Sequence, residues 1–294
     1  MAHECRVYPL GYPVDIRSES QRAISIAQQH WPEPSGLFAQ QPLQVHIALM
    51  EAAPLAPLEF HAVDGGFVFA RGPAGSARFD AAGRCGMLRA TRGALSRDSG
   101  ESLLDALVLT ALDWTFFAAV HAGCVALEGR SVLLCGDSEA GKSTLAYACA
   151  RAGWTYVSDN ALHWAPPPHD VFVTGSPSIR LREGARILFP HLESHELRPM
   201  PNGRLAMEII PALDGLQAAN SALAGPCVFL DRRPGPAGLL PYSTDAAVEY
   251  FLRYDTCPDR EAAAKRYRRM LNKGVWRLKY EYLEDAMRIL RELL

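Results

Sequence analysis

The chain has 294 residues and a mass of 32.2 kDa, enough for one large domain or two of modest size. Hydrophobic residues make up 49% and charged residues 21%, which excludes a disordered chain, a collagen-like fibre and a small disulfide-stapled scaffold. With 30 Lys and Arg against 32 Asp and Glu, the net charge of -2 argues against bulk electrostatic adhesion to nucleic acid or to an anionic membrane.

The first hundred residues are poor in motifs and rich in strand patterns. The opening, MAHECRVYPLGYPVD, has an acid and prolines where a secretory signal needs an unbroken apolar stretch. Val45, Ile47 and Leu49 alternate with polar neighbours, the period of a half-buried strand. Phe60 to Arg71 and Ala77 to Phe79 flank turn signals at Gly65-Gly66 and Gly72-Pro73, which predicts hairpins. Ser99-Gly-Glu-Ser then leads into an apolar run that reads as a helix from about Leu103 to Ala119. Asp105 and Asp113 sit at depths that lipid would penalise, so this is a buried helix and not a membrane span.

From His121 the texture changes. Cys124 to Leu127 and Ser131 to Cys135 are short strand-like runs joined by a tight turn at Glu128-Gly-Arg. A glycine-rich loop follows, then a helix from Ser143 to Ala152 closed by Gly153. Trp154 to Val157 is a further strand that stops at Ser158-Asp159-Asn160, and strand patterns recur at Val171 to Val173 and Cys227 to Leu230. Pro166-Pro-Pro, the Pro199 to Gly203 stretch and Arg233-Pro-Gly-Pro mark loops. Helices at about Arg260 to Leu271 and Glu281 to Leu294 end the chain. Seven cysteines without C-x-x-C spacing, and nine histidines that form no cluster with them, predict reduced thiols, no zinc site and a cytoplasmic protein.

The sharpest chemical signal is Gly136-Asp137-Ser138-Glu139-Ala140-Gly141-Lys142-Ser143, followed by Thr144, which fits G-x-x-x-x-G-K-[ST] at every position. The glycines let the backbone wrap closely enough for successive N–H groups to point inward. The following helix adds the positive end of its dipole, Lys142 spans the outer phosphates, and the Ser143 hydroxyl can ligate Mg²⁺. Asp159, ending the next strand, is placed to meet the same metal. His121 stands just before the hairpin that feeds the loop, a candidate proton acceptor. The expected ligands are therefore a nucleoside triphosphate and Mg²⁺; no adenine-specific motif is visible, so the choice of ATP over GTP comes only with the resemblance that follows.

His121-Ala-Gly-Cys-Val-Ala-Leu, the phosphate loop and Trp154-Thr-Tyr-Val-Ser-Asp159 together resemble the catalytic domain of the HPr kinase/phosphorylase family. The likeness is dense from about Val120 to Asn160 and weaker from Ser176 to Pro190. It implies an α/β fold: a mixed-sheet P-loop kinase core related to phosphoenolpyruvate carboxykinase, with a smaller β-rich N-terminal region and C-terminal helices. The expected division is 1–100 for that region and 101–294 for the catalytic domain. Family members often assemble through the catalytic domain, so a homo-oligomer is compatible with the likeness. The resemblance also implies in-line phosphoryl transfer with Lys142 neutralising phosphate, Asp159 holding metal, and Asp159 or His121 taking the acceptor's proton.

Three departures stand out. The acidic pair becomes Asp159-Asn160, the usual mid-loop glycine is Glu139, and the glycine-rich signature of the HPr regulators is missing from Ser176 to Ala185. With Glu139 in that position, its charge must turn away from the phosphates or be offset by metal or arginine. The remainder is closer in character to kinases that phosphorylate a serine of lasso-peptide precursors. Arg180 and Arg182 are candidates to face transferring phosphate, and Arg204 comes from a loop able to close over substrate. The Lys265 to Lys279 segment carries seven cations and no acid, a candidate dock for an acidic peptide or a neighbouring subunit. The expected activity is a kinase acting on a serine of a peptide or small protein. The alternatives are a small-molecule hydroxyl kinase and a nucleotide-binding sensor with degraded catalysis.

Overall fold

The computed structural model describes residues 2–32, 36–96, 102–175, 178–200 and 203–294, and the chain divides into two compact units, Met1–Phe117 and Ala118–Leu294. Of the features read from sequence, 99–101 of the helix lead-in, 176–177 of the segment from Ser176, and 201–202 within the Pro199 to Gly203 loop lie outside the described residues.

The first unit holds β1 (His3–Val7), β2 (Val14–Ser18), α1 (Gln21–His30), β3 (Leu43–Leu49), β4 (Glu59–Val63), β5 (Gly66–Ala70), β6 (Gly75–Asp80), β7 (Cys85–Ala90), α2 (Arg92–Leu95) and α3 (Leu103–Thr115). Its seven strands form one sheet in the order β1-β2-β3-β7-β6-β5-β4. The pairs β2–β3 and β3–β7 are parallel, and the glycine turns predicted from sequence close the β4–β5 and β5–β6 hairpins. Along β3, Leu43, Val45 and Ile47 are buried while their neighbours are not, as period-2 alternation requires. α3 is capped by Ser102, whose hydroxyl accepts from the N–H groups of Leu104 and Asp105.

Two expectations change here. The helix from Leu103 stops at Thr115, because Phe116 leaves helical geometry and Ala118–His121 pairs as a strand instead. An apolar run suits either element, and the strand partner decides. Because α3 packs on β6 and β7, the units divide after Phe117 and not near residue 100.

The second unit begins with β8 (Ala118–His121), β9 (Gly123–Leu127), β10 (Arg130–Cys135), α4 (Lys142–Arg151), β11 (Thr155–Ser158), β12 (Ala161–Ala165) and β13 (Val171–Val173). It continues with β14 (Ile179–Leu181), α5 (Ala185–Leu188), β15 (Leu197–Pro199), β16 (Leu205–Ile209), β17 (Ser221–Leu223), β18 (Cys227–Arg232) and β19 (Gly238–Pro241). The last elements are α6 (Thr244–Leu252), α7 (Arg260–Met270), β20 (Val275–Tyr280) and α8 (Leu283–Leu293). Its main sheet runs β11-β9-β10-β18-β20-β19 and is mixed, with β10–β18 and β18–β20 parallel. Smaller sheets, β17-β13-β12-β8 and β14-β16-β15, flank it.

Alternation along β10 builds a core on each face of the main sheet. Val132 and Leu134 point into a cluster with Leu145, Ala146 and Cys149 of α4 and Ala286, Ile289 and Leu290 of α8. Leu133 and Cys135 point the other way, to Ala247, Val248 and Phe251 of α6 and Ala263, Tyr267 and Met270 of α7. Between β9 and β10, Glu128 and Gly129 both have positive φ, 51° and 81°, the geometry of a tight hairpin whose twist matches its strands. The elements that position the site are thus strands buried on both faces, which fixes where the β10–α4 loop emerges.

Candidate functional site

β10 leaves the sheet at Cys135 and α4 begins at Lys142, so residues 136–141 turn the chain back over the strand ends. Gly141 takes a left-handed conformation, φ +93°, at the helix start, and Gly136 has φ +142° with space so tight that an added methyl would sit 2.7 Å from Ala140 Cβ. No side chain caps α4. The N–H groups of Lys142, Ser143 and Thr144 therefore have no intrahelical acceptor, a fit for anionic oxygens.

A cleft of about 870 Å³ opens over this helix start. Ser138, Glu139, Gly141, Lys142, Ser143 and Thr144 line one side. His121, Asp159, Asn160, Arg180, Arg182 and Arg204 line it elsewhere, beside Leu188, Arg232 and Tyr254, so the candidate residues from five separate stretches of sequence meet in one place. Gly136, Asp137 and Ala140 form the turn beneath and do not line it.

Lys142 is 8% exposed, and its ammonium donates to the carbonyls of Gly136, at 2.7 Å, and Asp137, at 3.2 Å. Burial holds its pKa below the usual lysine value. Asp159 is 6% exposed and bonded by the Arg180 N–H at 3.0 Å; the neighbouring hydroxyls of Ser143 and Tyr156 also favour its charged form, although the Tyr156 hydroxyl donates to the Ser178 carbonyl at 3.0 Å. Burial still raises its pKa above the ordinary aspartate range, so these donors offset the desolvation only in part. The Ser143–Asp159 contact joins the two oxygens predicted to hold Mg²⁺. Among the described residues no group of three His, Cys, Asp or Glu could hold a metal unaided. Two protein oxygens suit a Mg²⁺ that keeps waters and phosphate oxygens as its other ligands.

The Glu139 carboxylate is offset by arginine: it pairs with Arg182 and, at 3.4 Å, with Arg204. These neighbours hold its pKa below the usual value, Arg182 first. Its backbone sits at φ +72°, a region that glycine enters more readily. Asn160 is exposed at the cleft wall, its N–H held by the Ser158 hydroxyl at 3.3 Å.

His121 ends β8. Its ring stacks on Tyr254, with centroids 4.3 Å apart and planes 29° from parallel. The Tyr250 hydroxyl lies 2.9 Å from the His121 carbonyl and 2.8 Å from that of Gly136, which ties the end of β8 to the start of the loop. Arg253 then reaches the Asp137 carboxylate at 3.0 Å. These contacts from α6 and the turn after it were missed in the sequence, although Ser243 with Asp245 is a helix-start signal.

Burial, with the Lys142 charge in the same direction and Asp137 opposing, pushes the His121 pKa down to about 4. The ring is therefore neutral near pH 7, and the surroundings that keep it so make it a weak proton acceptor. We expect the His121 ring protons, followed by NMR, to show no titration step between about pH 6 and 8, where an unperturbed histidine would show one. A midpoint near 6.5 would contradict the burial described here.

The basic run from Lys265 to Lys279 is split between α7 and β20, and several of its cations find acids, one a helical turn away and two distant in sequence. Lys265 pairs with Glu261 at 2.8 Å, Arg268 with Asp245 at 3.0 Å and Lys273 with Asp170 at 3.0 Å, while Arg277 lies over the Tyr242 ring. No helix among the described residues is long and apolar enough to cross a membrane.

No family model matches the chain, and no curated protein matches it. Among solved structures, the HPr(Ser) kinase/phosphatase from Coxiella burnetii aligns with a TM-score of 0.31 and 13% identity, over 60% of this chain and 96% of that one. So distant an alignment fixes neither the fold nor the activity of this chain.

Proposed function

We propose that the chain is a kinase that transfers the γ-phosphate of ATP to a hydroxyl, with a serine of a peptide or small protein as the acceptor. The observation that carries this reading is the joining, in one cleft, of an uncapped helix start, the Lys142 ammonium and the Ser143–Asp159 pair. The choice of a peptide serine rests on the sequence resemblance from Val120 to Asn160 taken with the missing HPr-specific signature between Ser176 and Ala185.

The N–H groups at the start of α4 donate to the phosphate oxygens, and Lys142 exchanges its two backbone carbonyls for phosphate. Ser143 and Asp159 would hold Mg²⁺, which supplies positive charge against the phosphates when bound. Arg180 and Arg182 add positive charge on the facing wall. The acceptor oxygen bonds to the γ-phosphorus as the bond to the departing ADP oxygen breaks, and the hydroxyl proton passes to His121 or Asp159. A carboxylate committed to metal is a poor base, and a histidine held at a pKa of about 4 is a weak one, so positioning and charge stabilisation carry the step more than proton abstraction does. If His121→Ala turns over like wild type while Asp159→Ala is inactive, the histidine is structural.

Glu139 opposes the incoming phosphates and occupies two arginines that could meet them. We expect Glu139→Gly to bind Mg-ATP several-fold more tightly than wild type in equilibrium titration, because it removes a like charge and frees Arg182. Equal or weaker binding would mean that the carboxylate is not in competition with phosphate.

The second reading, a nucleotide sensor, is favoured by the Glu139–Arg182 pairing and by Asn160 in place of a second acid. Incubation with γ-labelled ATP, Mg²⁺ and a pool of serine-containing peptides separates the two. Label on peptide, lost in Lys142→Ala, supports the kinase. Tight ATP binding with no transfer and no hydrolysis supports the sensor.

A further inference from the structure

A second depression of about 340 Å³ lies beside the cleft and shares Leu188 and Arg232 with it. Its floor is α4: Ala148 and Arg151 follow Thr144 of the cleft at intervals of four and three residues, so all three lie on one helix face. At 1.5 Å per residue, Ala148 stands about 6 Å and Arg151 about 10 Å along the axis from Thr144. That is the reach of a nucleoside measured from its innermost phosphate. One wall is Leu188 and Phe189, the latter packed edge-on against Tyr147 at 4.9 Å. Tyr282, Leu283, Glu284 and Met287, at and just inside the start of α8, also line it.

Two features make this depression a built extension of the cleft. Arg232 Nε donates to the Glu281 carbonyl at 3.3 Å, and the Glu281 carboxylate accepts from the Gly235 N–H at 3.3 Å. These bonds tie the end of β18 to the end of β20 and hold Tyr282 on the same wall as Arg232. Tyr282 is nonetheless 61% exposed and Leu188 39% exposed, an aromatic and an aliphatic side chain without cover at the edge of a charged cleft.

We propose that this depression receives the ribose and base of the nucleotide, with the base stacked on Tyr282 and edged by Leu188 and Met287. The assignment rests on the phosphate-site reading above and adds where the rest of the nucleotide lies. Stacking on an aromatic ring accepts any base, so the site grips without selecting strongly between ATP and GTP.

Calorimetric titration of Mg-ATP and of Mg-inorganic triphosphate into wild type, Tyr282→Ala and Tyr282→Phe tests it. Wild type is expected to bind ATP more tightly than triphosphate. Tyr282→Ala should weaken ATP about tenfold, leave triphosphate unchanged, and be rescued by Tyr282→Phe. Wild-type ATP affinity in Tyr282→Ala, with triphosphate binding intact, would overturn the base site alone. Parallel loss of triphosphate in that variant would overturn it too, since a base contact cannot affect a ligand without a base. A wild type that binds neither ligand would overturn the phosphate-site reading and the base site with it.

Discussion

Lys142→Ala is expected to lower phosphoryl transfer by at least about 10²–10³-fold, the loss associated with removing one preorganised charge from a desolvated site, and to weaken ATP binding in parallel. The reason lies in where the ammonium sits. It is 8% exposed and held by two loop carbonyls, so its charge is aimed along the helix start and exchanges weak dipoles for phosphate oxygens without leaving the cleft. Lys142→Arg should fail almost as badly, because a planar guanidinium does not fit between the Gly136 and Asp137 carbonyls as a compact ammonium does. The lysine's lowered pKa means that burial disfavours its charge in the folded chain. We therefore expect Lys142→Ala to melt within a few degrees of wild type, and rates measured beside melting curves check both halves. A large fall in melting temperature with full residual activity would reverse the assignment of roles.

Asp159→Asn carries the second large effect. The amide keeps an oxygen for the Arg180 N–H but loses the negative charge that would hold Mg²⁺ beside Ser143. Turnover should fall by about 10²–10³-fold at saturating Mg²⁺, and its dependence on Mg²⁺ concentration should shift upward or vanish. Stability should move the other way. The carboxylate's pKa is raised by burial, so its ionised form is disfavoured in the folded state near pH 7, and the neutral amide escapes that cost. A melting temperature equal to or above that of wild type, with loss of Mg²⁺-dependent turnover, is the expected pair of results. Unchanged Mg²⁺ dependence would remove Asp159 from the metal site.

The loop and its helix were legible in the sequence because both depend on local rules. The glycines at 136 and 141 carry the positive φ values that their spacing implies, and Gly153 follows α4 with φ +86°. The hairpins around Gly65 and Gly129 were legible for the same reason. What depends on distant partners was not. Parallel pairing of β10 with β18 joins residues more than ninety positions apart, and β20 lay hidden inside a run read for its charge. The end of α3 was misread because apolarity alone does not separate a helix from the strand that follows it. In the site, Asp159 could be named from its strand end, and Arg182 and Arg204 from their charge. That both arginines close on Glu139, and that Tyr250 and Tyr254 brace His121, required the fold.

The most direct measurement is a crystal structure of the chain with Mg²⁺ and a β,γ-imido analogue of ATP. The expected structure has phosphate oxygens on the N–H groups of Lys142 to Thr144, Lys142 turned from its carbonyls onto phosphate, and metal between Ser143 and Asp159. Nucleotide bound away from the start of α4, or a cleft that stays empty at saturating analogue, would contradict it.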